Sequence, residues 1–216
     1  MRNFNKLLTF LVLFGTFLNL QSQNKFSNRK INNLKNQASQ LVEQDKKMTQ
    51  VMVDKVFSFS ELGFQEFETS KYLTNILEEN GFEVIYGISG IPTAWMATWS
   101  NGTEGPTIAL GSDFDGIPVS SQYPGVAFHK PIVEGAPGHG EGHNSGLPVV
   151  MTAAFSVKKI MKENDIQGKL VIWPGVAEEQ IGSKAWFVRD GYFDDIDMCI
   201  FTHVSTNMSV SCLLYT

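Results

Sequence analysis

Cysteine is scarce in this chain. Only Cys199 and Cys212 occur among 216 residues, so a fold held by several disulfides is excluded by number alone. Basic residues are outnumbered as well: 17 Lys and Arg stand against 22 Asp and Glu, for a formal net charge of −5. No long Lys/Arg cluster appears. That argues against a nucleic-acid partner, since such binders carry a basic footprint. Internal repeats and low-complexity tracts are missing too. The one long uncharged apolar run, Leu7 to Leu20, is short for spanning ~30 Å of hydrocarbon.

What is present begins with that run. Arg2 and Lys6 precede it and Gln21-Ser22-Gln23-Asn24 follows it, the order of a cleaved secretory signal peptide. Residues 1–23 are therefore expected to be removed, leaving an exported, secreted or periplasmic chain with no stable membrane anchor. No cysteine lies near the exit to take a lipid. Losing Arg2 and Lys6 makes the remainder more acidic. A hydrophobic content of 43% with 18% charged residues is ordinary for a globular domain, and the length suffices for one real core.

Residues 24–40 read as a polar, loose lead-in, and 41–216 as the domain. Apolar residues recur at helical spacing from Leu41 through Phe59 and again from Thr69 to Asn80, with Gly81 as a stop. Strands are expected at Phe82–Tyr86, Pro92–Trp99, Thr107–Leu110, Lys169–Trp173 and Met198–Phe201. Further helices are expected at Leu147–Lys162 and Lys184–Asp190, and a long Gly/Pro-rich loop reaches to Ser145. Helices alternating with short apolar strands imply an α/β layered domain. Cys199 falls within a strand expected to be buried, as a reduced apolar thiol.

Asp113 and Asp115, Glu178 and Glu179, and His203 each follow an apolar strand. Ligands of open α/β sheets gather beyond the carboxyl ends of strands, so these side chains would meet at one edge. Glu141 and His143, in Gly138-His139-Gly140-Glu141-Gly142-His143-Asn144, offer an oxygen and an imidazole two residues apart, suited to zinc or manganese. Each signal has a plain alternative. The glycine loop can carry incidental histidines, the aspartates can cap a turn, adjacent glutamates are often a solvated pair, and His203 can be a core histidine. Their joint order is harder to explain that way.

At this point the chain resembles a known family. Ser60-Glu61-Leu62-Gly63-Phe64-Gln65-Glu66-Phe67-Glu68-Thr69-Ser70, Asp113-Phe114-Asp115-Gly116-Ile117-Pro118, the Gly-His-Gly-x-Gly-His-Asn block, Ala177-Glu178-Glu179 and Thr202-His203 follow the order found in di-metal amidohydrolases and peptidases that cleave N-acyl amino acids and dipeptides. Gly90-Ile91-Pro92-Thr93-Ala94 and Gly191-Tyr192-Phe193-Asp194-Asp195 resemble the aminobenzoyl-glutamate hydrolase branch. Similarity runs from about Val51 to His203. The resemblance implies a layered αβα, zinc-peptidase-like catalytic domain. It implies Glu141, His143, Glu179 and His203 as ligands of two divalent ions, zinc or manganese, and Glu178 as general base toward the attacking water. Asp115 is implied as a carboxylate orienting ligand imidazoles, and Asp113 and His139 as further groups surrounding the ligands. The implied substrate is a small amide.

Two departures stand out. Glu141 occupies a position where many of that branch carry cysteine, and a hard carboxylate shifts preference toward manganese. Family members are also considerably longer, with a lid that mediates dimerisation and a returning segment supplying another histidine ligand. The chain is accordingly expected to be a C-terminally truncated, incomplete catalytic domain without the lid, with a homodimer expected only for the full-length form. His129 lies upstream and is a poor substitute for the absent histidine. The competing expectation is an exported metal-binding domain of the same fold that has no catalytic activity.

Overall fold

The computed structural model describes residues 26–211. The expected signal segment 1–23 and Cys212 lie outside them. The chain divides into two units, Met1–Asn36 and Gln37–Thr216, and all the elements of the site belong to the second.

The elements in chain order are α1 (Asn28–Gln44), α2 (Lys46–Phe59), α3 (Phe67–Glu79), β1 (Glu83–Tyr86), β2 (Trp95–Asn101), β3 (Thr107–Asp113), α4 (His143–Glu163), β4 (Gly168–Gly175), α5 (Lys184–Arg189) and β5 (Met198–Thr202). Short 3-10 turns cover Ile88–Gly90 and Glu178–Gln180. The polar lead-in expected to be loose is helical from Asn28, although α1 buries no side chain. Its Lys, Gln, Ala, Leu and Glu residues favour helix without a core to pack on. The single helix expected over residues 41–59 is broken at Asp45, which separates α1 from α2.

The five strands form one sheet in the order β1-β2-β4-β3-β5. β1 and β2 pair antiparallel, as do β2 and β4. β4, β3 and β5 run parallel, with Asp113 opposite Gly175 and Ser112 opposite Thr202. β4 is buried at every residue but Lys169. Because successive strand residues point to opposite faces, a strand buried in this way is covered on both sides, as its run Leu170-Val171-Ile172-Trp173 suits. One cover is α4, whose Leu147, Val150, Met151 and Ala154 join the core with Met52 and Val56 of α2 and Leu73 and Leu77 of α3. Elsewhere Trp173 meets an aromatic cluster, with ring centroids 6.3 Å from Phe187, 4.9 Å from Phe193 and 5.1 Å from Phe201. The layered α/β expectation holds.

Two further expectations fail. Cys199 is exposed, because among the described residues β5 is an edge strand paired only with β3, and Met198 and Ile200 beside it are exposed as well. α4 starts at His143, inside the stretch read as loop. Gly142 is a local signal for loop, but it sits in the left-handed region as the helix cap. Among the described residues no helix is long and apolar enough to cross a membrane.

Candidate metal centre

The three parallel strands end side by side, and β3, in the middle, carries Asp113 at its tip with Asp115 two residues on. β4 leads through Ala177 to Glu178 and Glu179, and β5 leads to His203. α4 points its N-terminus at the same edge, so that its first residue, His143, hangs over the strand ends. This close approach depends on Gly146: a Cβ there would lie 1.9 Å from Ser112 Oγ. Ser112 in turn donates to the carbonyl of Thr202 at 2.8 Å, tying the residue before His203 to β3.

His143 is buried, 4% exposed. Its Nδ1 faces the Asp115 carbonyl at 3.1 Å and Asp115 Oδ1 at 3.4 Å, so the proton belongs on Nδ1 and the lone pair on Nε2. His203 is arranged likewise, with Nδ1 2.7 Å from the Val204 carbonyl. The two Nε2 atoms then confront each other at 3.1 Å, and Glu141 Oε2 lies 3.6 Å from each. Two lone pairs and a carboxylate converge on one point with no proton assigned between them.

The surrounding acids add negative charge. Asp113 and Asp115 are each 1% exposed. Burial pushes the Asp113 carboxyl above its ordinary pKa, although Lys184, whose Nζ lies 2.8 Å from Oδ1, opposes the rise. Burial and then the charge of Glu141 push Glu179 up as well, with His143 opposing. His143 loses basicity to burial, but its hydrogen bond to Asp115 and the charges of Asp113 and Asp115 outweigh that and raise its pKa. Asp115 Oδ2 accepts the backbone N–H of Glu179 at 3.1 Å, while Asp115 Oδ1 and Glu179 Oε1 are buried without a hydrogen-bond partner.

These features fit a cation. Donors around a tetrahedral ion bound at about 2.0–2.1 Å lie about 3.3–3.4 Å apart, and the edges of 3.1, 3.6 and 3.6 Å bracket that spacing. Two groups offer ligand atoms all within 4.8 Å of one another: Asp113, His143 and His203, and Glu141, His143, Glu178 and Glu179. His143 belongs to both. A pair of ions sharing this edge would satisfy the orphaned oxygens and the facing imidazoles together.

The fold thus gathers Asp113, Asp115, Glu141, His143, Glu178, Glu179 and His203. His139 is turned elsewhere, its Nε2 toward the Val56 carbonyl at 3.2 Å. His129 is exposed and, with His139, lines a separate cavity of about 520 Å³ formed by residues 119–126 and Phe57. Sequence reasoning missed Lys184. Its only signal was a lone cation following the paired glutamates.

No family model matches the chain. It is 34% identical over 163 residues to a subunit of the p-aminobenzoyl-glutamate hydrolase of Escherichia coli, covering 75% of this chain and 33% of that protein. It is 29% identical over 154 residues to N-acetyl-L-cysteine deacetylase of Bacillus subtilis, covering 70% and 35%. The chain is thus similar to a hydrolase subunit and to a deacetylase. Its fold is shared with a dinuclear metal binding peptidase of the M20 family from Bacillus subtilis, at a TM-score of 0.60 and 21% identity over 77% of this chain and 45% of the other. The chain spans about a third of the length of the curated relatives it matches.

Proposed function

We propose that this chain carries the metal-holding and water-activating part of a hydrolase that cleaves the amide bond of N-acyl amino acid, aminobenzoyl-glutamate or dipeptide-like substrates. The observation that carries the reading is the convergence of His143 Nε2, His203 Nε2 and Glu141 Oε2 beside the buried acids. Glu141, His143, Glu179 and His203 would hold two divalent ions of the zinc or manganese kind, with Asp113 within reach of the same cluster. When bound, such ions supply Lewis-acid polarisation of the scissile carbonyl.

The chain's own residues do the rest. Glu178 takes a proton from the attacking water as its oxygen joins the carbonyl carbon, and returns that proton to the departing nitrogen as the C–N bond breaks. The products are a carboxylic acid and a free amine. Asp115 holds the Nδ1–H of His143 and so keeps the Nε2 lone pair facing the cluster. The substrates of both relatives, as their names state, carry such an amide, which supports the substrate class. Export by a cleaved leader at residues 1–23 completes the proposal.

The test is titration of the chain with Zn²⁺ and Mn²⁺, followed by an assay for amine release from p-aminobenzoyl-glutamate and N-acetyl amino acids. Saturable binding is expected, with chelator-sensitive hydrolysis that Glu178→Gln abolishes while metal stays bound. Hydrolysis undiminished in Glu178→Gln overturns the assignment of the base, and failure to bind either ion overturns the centre. Metal binding without hydrolysis favours a binding domain of the same fold.

A further inference from the structure

The metal centre leaves one buried acid unused. Glu66 is 0% exposed and stands at the N-terminal boundary of α3. A carboxylate out of water requires donors on its oxygens, and those of Glu66 go to neutral groups. Oε2 accepts from the Thr93 hydroxyl at 2.8 Å, and Oε1 accepts the backbone N–H of Ala177 at 2.9 Å. Burial raises the Glu66 pKa against these bonds.

Ala177 is no ordinary residue to hold. It is a non-glycine in the left-handed region, at φ 54° and ψ 42°, a conformation that needs support from its surroundings. It turns the chain off β4 immediately before Glu178 and Glu179. The segment containing Glu66 grips this turn at two further points. Gly63 packs so closely that a Cβ would lie 2.8 Å from Ala177 Cα, and Gln180 Nε2 donates to the Gly63 carbonyl at 3.2 Å. Asp115 also accepts the Glu179 N–H.

We propose that Glu66 is a positioning residue for the metal centre: by accepting the Ala177 N–H it fixes the turn that aims Glu178 and Glu179 at His143. This rests on the proposal that those two glutamates act there. The Ser60–Ser70 motif thereby acquires a role, as the cradle of the catalytic turn rather than part of the ligand set.

Glu66→Gln keeps an acceptor for Ala177, and the Thr93 hydroxyl can reverse to accept from the new amide. Glu66→Met keeps the bulk and removes the acceptor. Two readouts are taken: hydrogen exchange over residues 174–182 in the metal-free chain, and Mn²⁺ and Zn²⁺ affinity by competition with a chromophoric chelator. Glu66→Met is expected to lose exchange protection at Ala177 and about tenfold in metal affinity, the usual range for an outer-sphere partner. Glu66→Gln is expected to match the unsubstituted chain in both. No loss in Glu66→Met would mean that Glu66 only fills space, and equal losses in the two variants would mean that its charge, not the bond to Ala177, matters; either overturns the proposal. Should Glu66→Met not fold, Glu66→Asp carries the same expectation, since it keeps the charge and withdraws the oxygen by one methylene. If the unsubstituted chain binds neither ion, the proposed function fails, and the exchange measurement still decides whether Glu66 holds the turn.

Discussion

His143 and His203 face each other with their Nε2 atoms 3.1 Å apart and their rings nearly perpendicular, at 87°. Each has its Nδ1 against a backbone carbonyl, so both lone pairs point inward. A divalent ion relieves that opposition. Removal of either ring is therefore expected to weaken Zn²⁺ and Mn²⁺ binding by more than about tenfold. His143→Ala should be the more severe, since His143 belongs to both ligand groups. Isothermal titration of the two variants measures this, and equal affinity in His143→Ala would remove His143 from the centre.

His139 behaves in the opposite way to His143. Burial is the main cause that pushes its pKa down to about 4, with the hydrogen bond to the Val56 carbonyl resisting. The unfolded chain, with a histidine near its ordinary value, binds this proton more readily than the folded one between those limits. Folding stability from this residue is thus intact above about pH 6.5 and falls as the pH drops toward 4. In the metal-free chain, His139→Gln should flatten the pH dependence over that window relative to the unsubstituted protein. Comparing urea midpoints of the two isolates the effect, because the upward-shifted acids Glu66, Asp113 and Glu179 are common to both.

Much of this site is legible in the sequence, and the reason is topological. Asp113, Glu178 and His203 each sit just beyond an apolar strand, and parallel neighbours place such positions together whatever lies between them in sequence. His143 is legible as chemistry but not as helix, because the glycine-rich stretch through Gly142 is a local signal for loop and only the packing of Gly146 on Ser112 shows that a helix begins there. The exposure of Cys199 is hidden for a related reason. Met-Cys-Ile-Phe reads as a buried strand, yet burial depends on what lies beside β5, not on its own composition. Glu66 is visible within a motif, but its hydrogen bond to Ala177 joins residues 111 positions apart, which no local pattern reveals.

Gly146 makes the contact between α4 and β3 testable. An alanine there drives its Cβ to 1.9 Å from Ser112 Oγ and 2.7 Å from Ser112 Cβ, so the helix start must lift or the strand end must shift. Overpacking of this kind costs about 1–3 kcal/mol. Gly146→Ala is expected to lower the unfolding free energy by that amount and to reduce metal affinity, since His143 rides on the displaced turn. Adding Ser112→Ala should restore part of the affinity. A Gly146→Ala protein with unchanged metal binding would show that His143 is placed independently of this contact.

Lys184 and Asp113 form the remaining charged contact at the strand ends, at 2.8 Å, with the lysine 37% and the aspartate 2% exposed by side chain. The lysine nitrogen also lies 4.3 Å from the centroid of the Phe201 ring, so one cation bridges β3, β5 and α5. Lys184→Met would leave a buried carboxylate uncompensated. A fully buried pair broken in this way costs about 3–5 kcal/mol, and the partial exposure of Lys184 reduces that to roughly 1–3 kcal/mol. The loss should be largest in the metal-free chain, because a nearby divalent ion would also neutralise Asp113. Urea unfolding of Lys184→Met with and without saturating Zn²⁺ checks both parts: destabilisation without metal, and a smaller difference with it. If the two differences are equal, Asp113 lies outside the field of the bound ion and serves the ion pair alone.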